Sequence, residues 1–148
     1  MHDMKLVRSL LIFKFKQMEK FKKTILLVDD DEDYLFQTKL NIEQFGFKVV
    51  TAESQQEAEK LLDNFKPDLA ILDLMMENED SGFILSYKMK KKFPDVPVII
   101  ATAVTAETGI SFGVDTEDDR KWIRADLYIE KGIRADQLNR EIIKLLKL

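Results

Sequence analysis

Five short apolar runs divide the chain, and the stretches between most of them carry helical spacing. The first three are Thr24-Ile25-Leu26-Leu27-Val28, Phe47-Lys48-Val49-Val50-Thr51 and Pro67-Asp68-Leu69-Ala70-Ile71-Leu72-Asp73. Val96-Pro97-Val98-Ile99-Ile100-Ala101, ending at Thr102, and Asp126-Leu127-Tyr128-Ile129-Glu130, ending at Lys131, complete the set. Runs this apolar suit strands buried on both faces of a parallel sheet. After the first run, Leu35, Ile42 and Phe45 keep a helical period until Gly46, a residue suited to a left-handed cap. Ser54-Gln55-Gln56-Glu57 reads as a capping box, followed by Ala58, Leu61, Leu62 and Phe65 on one face. A helix from about Gly82 to Phe93 turns Leu85, Met89 and Phe93 inward, and Lys88, Lys90, Lys91 and Lys92 form its solvated C-terminal end. Residues 103–125 are the least regular, with a short helix expected over Asp115–Ile123. The last helix places Leu138, Ile142 and Leu145 inward. Strands and helices in strict alternation predict an α/β fold, a doubly wound five-stranded parallel sheet.

Residues 1–23 stand outside this alternation. Leu6, Leu10 and Phe13 share a helical face, whereas Phe13-Lys14-Phe15-Lys16 alternates as a strand would. A basic amphipathic helix here could dock on a partner or a membrane surface, and an appendage without a role is the plainer expectation.

Composition narrows the chemistry. The 148 residues suffice for one domain with a real core, and 45% hydrophobic with 34% charged residues is a globular balance. No cysteine is present and the lone histidine is His2, so thiolate and imidazole chemistry are excluded and any metal must be held by oxygen, which favours Mg²⁺. Residues 1–23 hold seven Lys/Arg against Asp3 and Glu19, a local +5, so the overall −4 leaves −9 to residues 24–148. An acidic body argues against direct nucleic-acid binding. No apolar run approaches membrane-spanning length, and the default compartment is cytoplasmic.

The strand ends carry the chemistry. Asp29-Asp30 follow the first strand, Asp73 ends the third, Thr102 the fourth, and Lys131 follows the fifth. A lone Asp at a strand end is ordinarily a turn residue. In a parallel sheet, however, all these ends share one edge, where open α/β folds place their sites. Three converging carboxylates repel strongly unless a divalent cation lies among them. A lysine and a hydroxyl beside them offer the charge neutralisation and donor that a transferred phosphoryl group needs.

With these residues in place, the sequence resembles the receiver domain of two-component response regulators from residue 24 to about 147. The matching pieces are ILLVDDD, KPDLAILDLMM, PVIIATA and YIEK. The resemblance implies a flavodoxin-like strand order 2-1-3-4-5, with a receiver domain over residues 24–148 and a basic extension over 1–23. It implies that Asp73 accepts a phosphoryl group from a sensor histidine kinase or phosphotransfer protein in a phosphorelay. Asp30, Asp73 and the Met75 carbonyl would ligate Mg²⁺ directly, and Asp29 through water. Thr102 would bond a phosphoryl oxygen, Lys131 would pair with the carboxylate or phosphoryl group, and Tyr128 would be an aromatic switch coupled to Thr102. Such a domain is no enzyme beyond its own phosphorylation and dephosphorylation. Its partners would include a downstream protein target, and a homodimer is left open.

Three departures from the family stand out: a loop after Asp73 without the usual proline, a long segment between Thr102 and Lys131, and Gly132 where the family carries proline, often cis. A cis bond before glycine costs roughly 2.5–4 kcal/mol, so a trans Lys131–Gly132 bond is expected. Two rival readings compete with this one. A haloacid-dehalogenase-like phosphatase would use Asp29 as nucleophile and Asp31 as acid, and leaves Asp73 idle. A pseudo-receiver would only bind a partner. By the resemblance, the side chains best placed to orient a hydrolytic water belong to Met75 and Val104, and neither can do so, which predicts a long-lived phospho-Asp73. Glu77 is the alternative group for that task.

Overall fold

The computed structural model describes residues 4–103 and 125–148. Ten elements occur among them: α1 (Met4–Lys22), β1 (Thr24–Val28), α2 (Glu32–Gln44), β2 (Lys48–Ala52), α3 (Gln55–Leu62), β3 (Leu69–Asp73), α4 (Ser81–Lys92), β4 (Val98–Thr102), β5 (Leu127–Glu130) and α5 (Ala135–Leu146). The five strands form one parallel sheet in the order β2-β1-β3-β4-β5. The helix expected over Asp115–Ile123, together with Val104, lies outside the described residues.

Alternation along the strands splits the core into two layers. Ile25, Leu27, Ile71 and Ile99 face one side, where Leu35 and Ile42 of α2 and Leu138 and Ile142 of α5 cover them. Leu26, Val28, Leu72 and Val98 face the other, under Ala58 and Leu62 of α3 and Leu85 and Met89 of α4. Both faces are dry because helices cover both, which is why the strands read as unbroken apolar runs. Each such Leu or Ile contributes about 1.5–3 kcal/mol by leaving water.

The local signals act as anticipated at two helix ends. Gly46 follows α2 at φ +98°, and the Ser54 side chain accepts a hydrogen bond from the Glu57 amide. Strand entrances are fixed by acids: Asp68 accepts from the Thr24 amide at 2.7 Å, and Asp126 from the Val98 amide at 2.7 Å. These bonds tie neighbouring strands together at the edge opposite the candidate site.

Two expectations need correction. The N-terminal stretch is one continuous helix, so the strand-like alternation at Phe13–Lys16 has no structural counterpart. The lysines of α4 are not simply a solvated end. Lys88 pairs with Glu59, Lys90 lies 2.7 Å from Asp126, and Lys92 donates to the Leu62 carbonyl at 2.6 Å. Long side chains at a helix terminus reached acids and carbonyls that only the packing of α3 and β5 brings near.

Candidate functional site

The chain leaves β1 toward β2 on one side, and β3 then pairs with β1 on the other. This reversal opens a crevice beyond the carboxyl ends of β1 and β3. The acidic run after β1 divides its labour there. Asp29 is fully buried, its amide donates to the Ala52 carbonyl at 3.1 Å, and its Oδ1 accepts from the Asp31 amide at 2.9 Å. Asp30 is exposed at the mouth. Asp31 caps α2, accepting from the Asp33 and Tyr34 amides, while Glu32 and Asp33 lie in its first turn, where the helix dipole favours acids.

Asp73, at the end of β3, is 6% exposed. One carboxylate oxygen from each of Asp29, Asp30 and Asp73 falls within 4.8 Å of the others. Lys131 follows β5, and its amide donates to the Thr102 carbonyl at 2.9 Å, which ties the lysine to the end of β4. Its Nζ lies 2.7 Å from Asp29 Oδ2 and 3.2 Å from Asp73 Oδ1. Thr102 is buried at the same edge. Tyr128 lies on β5 opposite Ile100, half-buried, and burial raises its phenol pKa. Met75 lies in the loop after Asp73 with its side chain exposed.

The electrostatics follow from this crowding. Burial and the nearby Asp29 charge push the Asp73 pKa up to about 7, against the opposing pull of Lys131. Burial lowers the Lys131 pKa, but hydrogen bonding and charge from Asp29 and Asp73 outweigh it, and the net shift is upward. One ammonium therefore serves two buried carboxylates, with Asp30 beside them at the mouth. That donor set, all oxygen and with carboxylates in excess, fits a hard divalent cation.

Three site features escaped the sequence reading. The Tyr34 ring lies under Lys131, its centroid 4.8 Å from Nζ, a cation–π contact that helps hold the ammonium. Its place in the first turn of a helix starting at the acid pair was the signal available. Gly82 permits α4 to begin against the end of β3: a Cβ there would collide with the Asp73 carbonyl and stand 2.7 Å from Leu74 Cα. The Gly82 amide donates to the Leu74 carbonyl at 2.8 Å.

Glu77 is the third. Its carboxylate accepts from the Gln55 amide at 2.8 Å and the Gln56 amide at 3.0 Å, so the loop after Asp73 is pinned to the N-terminus of α3. Slight burial raises its pKa, but these amides outweigh that and hold the carboxyl below its ordinary range. Glu77 is therefore turned to α3 and away from the water-orienting role left open to it as an alternative. The described residues contain no cis peptide, so Lys131–Gly132 is trans as expected.

Comparison with known proteins then decides the family. Residues 25–143 match the response regulator receiver domain. The chain belongs to that family. Over 125 residues it is 29% identical to the alkaline phosphatase synthesis transcriptional regulatory protein PhoP of Bacillus subtilis, covering 84% of this chain and 49% of that protein. It is 36% identical over 124 residues to the alginate biosynthesis transcriptional regulatory protein AlgB of Pseudomonas aeruginosa, covering 84% of this chain and 26% of that one. The chain thus spans half or less of these curated relatives. Among solved structures, a CheY-like receiver domain protein from Methanospirillum hungatei superposes with a TM-score of 0.70 at 26% identity, over 84% of this chain and 94% of that one. TrrA of Thermotoga maritima, solved in complex with Mg(2+)-BeF, gives 0.68 at 28% identity, over 83% and 98%. The receiver domain's sheet order matches the flavodoxin-like order expected from the sequence.

Proposed function

We propose that this receiver domain accepts a phosphoryl group on Asp73 and relays a signal through the surface around it. The observation that carries this is the convergence of Asp73 with Asp29, Asp30 and Lys131 at one strand-end edge, with an Asp73 oxygen 3.2 Å from Lys131 Nζ. An Asp73 oxygen attacks the phosphorus of a phosphohistidine or small acyl phosphate; the new O–P bond forms as the bond to the donor breaks, and the donor leaves with the electron pair. Lys131 holds positive charge beside that oxygen, and the buried Thr102 hydroxyl supplies a donor for a phosphoryl oxygen. Asp29, Asp30, Asp73 and the Met75 carbonyl are the groups that would hold Mg²⁺. When bound, the ion neutralises charge on the transferred group. Asp29 is already oriented for this by the Asp31 amide and Lys131.

One residue of the phosphatase reading is engaged otherwise. Asp31, the acid of that reading, is spent on the α2 cap, so it does not stand ready to act as a couple with Asp29. The same proposal divides the chain at residue 23 into a basic extension and the domain, puts the domain in the cytoplasm, and names a sensor histidine kinase or phosphotransfer protein as donor. Output passes to a downstream protein or to a second copy. Tyr128 and Thr102 form the switch: they lie on adjacent strands, with Tyr128 opposite Ile100, two residues before Thr102 in the β4–β5 register.

The test is incubation with a small acyl phosphate and Mg²⁺, followed by intact-mass and peptide analysis. A single labile phosphoryl group is expected on Asp73 and none on the Asp73→Asn variant. Label on Asp29, or on the Asn variant, would overturn the assignment.

A further inference from the structure

The helix α1 presents an unusual surface. Leu6, Leu10, Leu11, Phe13, Phe15 and Met18 are all 53–63% exposed, although a helix this rich in large apolar side chains is ordinarily buried. Lys5, Arg8, Lys14, Lys16, Lys20 and Lys22 lie among them, and Glu19 is the one acid of the helix. At roughly 100° per residue, Lys5, Arg8, Ser9, Lys16 and Lys20 gather on about a third of the circumference, with Ile12 between them. Leu6, Leu10, Phe13, Val7, Leu11 and Phe15 fall on the remainder, interrupted by Lys14, Gln17 and Lys22. The apolar surface continues into a groove of about 710 Å³ lined by Leu11, Ile12, Phe15 and Leu148, with Lys16 and Lys147 in its walls.

We propose that α1 docks this domain in the plane of an anionic phospholipid surface. Apolar side chains entering the acyl boundary while lysines meet phosphate is the combination that interfacial helices use. Lys14, inside the apolar sector, has a stem long enough to carry its ammonium back to the headgroups. Spanning is excluded, since no helix among the described residues is long and apolar enough to cross.

Pairing with the α1 of a second copy is disfavoured by charge. Of the heptad-spaced seams, that of Met4, Val7, Leu11, Lys14 and Met18 carries a lysine at its centre, and that of Leu6, Leu10 and Phe13 runs on into Gln17 and Lys20. Each helix carries a net +5 and a single acid, so two together lack the opposite charges that flanking positions of a coiled coil supply. A positive helix on a body of −9 calls for an anionic surface, and its aliphatic and aromatic load calls for one with an apolar interior.

The topology suits that placement. The helix α1 runs into β1 at Thr24, whereas Asp29 follows the other end of the strand, about 17 Å away for five residues at roughly 3.3 Å each. A domain held through α1 leaves its acidic strand-end edge free. The inference does not depend on the phosphoryl-transfer reading, because lipid binding is measured without a phosphodonor.

The experiment is co-sedimentation of the full chain with vesicles of phosphatidylcholine alone and of phosphatidylcholine mixed with phosphatidylglycerol. Binding is expected to the mixed vesicles and to be negligible on the neutral ones. Raised salt should weaken it, and each of Lys16→Gln and Lys20→Gln should reduce it roughly fivefold, the equivalent of about 1 kcal/mol per basic residue. The paired change Leu10→Glu and Phe13→Glu should abolish it. As a readout free of variants, trypsin cleavage after Lys14 and Lys16 of the wild type should slow with the mixed vesicles only. No pelleting, equal pelleting on neutral vesicles, undiminished binding by the Leu10→Glu/Phe13→Glu chain, or a dimer that excludes vesicle binding would each overturn the proposal.

Discussion

The Lys131 ammonium lies closer to Asp29 than to Asp73, 2.7 Å against 3.2 Å. The fully buried acid thus holds the lysine, and the acceptor candidate shares it. This arrangement gives the buried Asp29 carboxylate a partner of opposite charge.

Removing that ammonium should therefore be costly. Lys131→Met leaves two buried carboxylates facing each other, and loss of one partner of a buried pair costs about 3 kcal/mol or more. Urea unfolding of the metal-free protein should show a loss of that order, and saturating Mg²⁺ should recover part of it. Unchanged stability of the variant without metal would mean that the pair contributes nothing.

The raised Asp73 pKa gives a pH dependence whose sign is fixed. An Asp titrating at about 7 in the fold and at its ordinary 3.8 when unfolded binds more protons in the native state across that window. Its contribution to stability is then greatest at low pH and declines as pH rises from about 4 to about 7. Mg²⁺ binds the ionised carboxylate, so its stabilising effect should grow over the same window. At a hundred times its dissociation constant it should add about 2.7 kcal/mol. Thermal melts with and without Mg²⁺ at stepped pH should diverge toward neutrality, and Asp30→Ala should remove most of the divergence.

The Glu77 clamp on α3 should be measurable apart from any chemistry. Glu77→Ala leaves the Gln55 and Gln56 amides without their acceptor, and losing an N-terminal cap costs about 1 kcal/mol. Hydrogen exchange at those two amides should accelerate while β1 and β3 keep their protection. Because the same loop carries Met75, Mg²⁺ affinity measured by calorimetry should fall as well. Equal exchange in the two proteins would show that Glu77 does not hold the loop.

The lifetime of the phosphorylated form tests the two apolar residues that the family resemblance singles out. A water in line with the Asp73–phosphorus bond needs a polar group to orient it, and Met75 and Val104 offer none. With Glu77 drawn away to α3, it offers none either. The Met75→Asn/Val104→Glu double variant should lose its phosphoryl group roughly tenfold faster, equivalent to about 1.4 kcal/mol of barrier. Equal decay rates would show that the apolar pair protects nothing.

What the sequence determined by itself was the alternation of elements and the roster of strand-end residues. A strand buried on both faces must be apolar throughout, so Ile25–Val28, Leu69–Leu72 and Val98–Ala101 announce a covered parallel sheet without any coordinates. Because parallel strands present their ends at one edge, Asp29, Asp30, Asp73, Thr102 and Lys131 could be named together. Helix periodicity was equally legible wherever one face alone met the core, as at Leu138 and Ile142.

Tertiary structure decided which of these groups touch. That Lys131 favours Asp29, that Tyr34 underlies the ammonium, and that Asp31 is a cap all depend on side-chain directions fixed by packing. The Glu77 clamp joins residues about twenty positions apart, across a loop whose path no local pattern encodes. The form of α1 was also undecided by its own residues: its apolar and basic side chains fit a helix and, at Phe13–Lys16, a strand. Helix wins because backbone hydrogen bonds can close within one segment, whereas a strand there would need a neighbour to pair with.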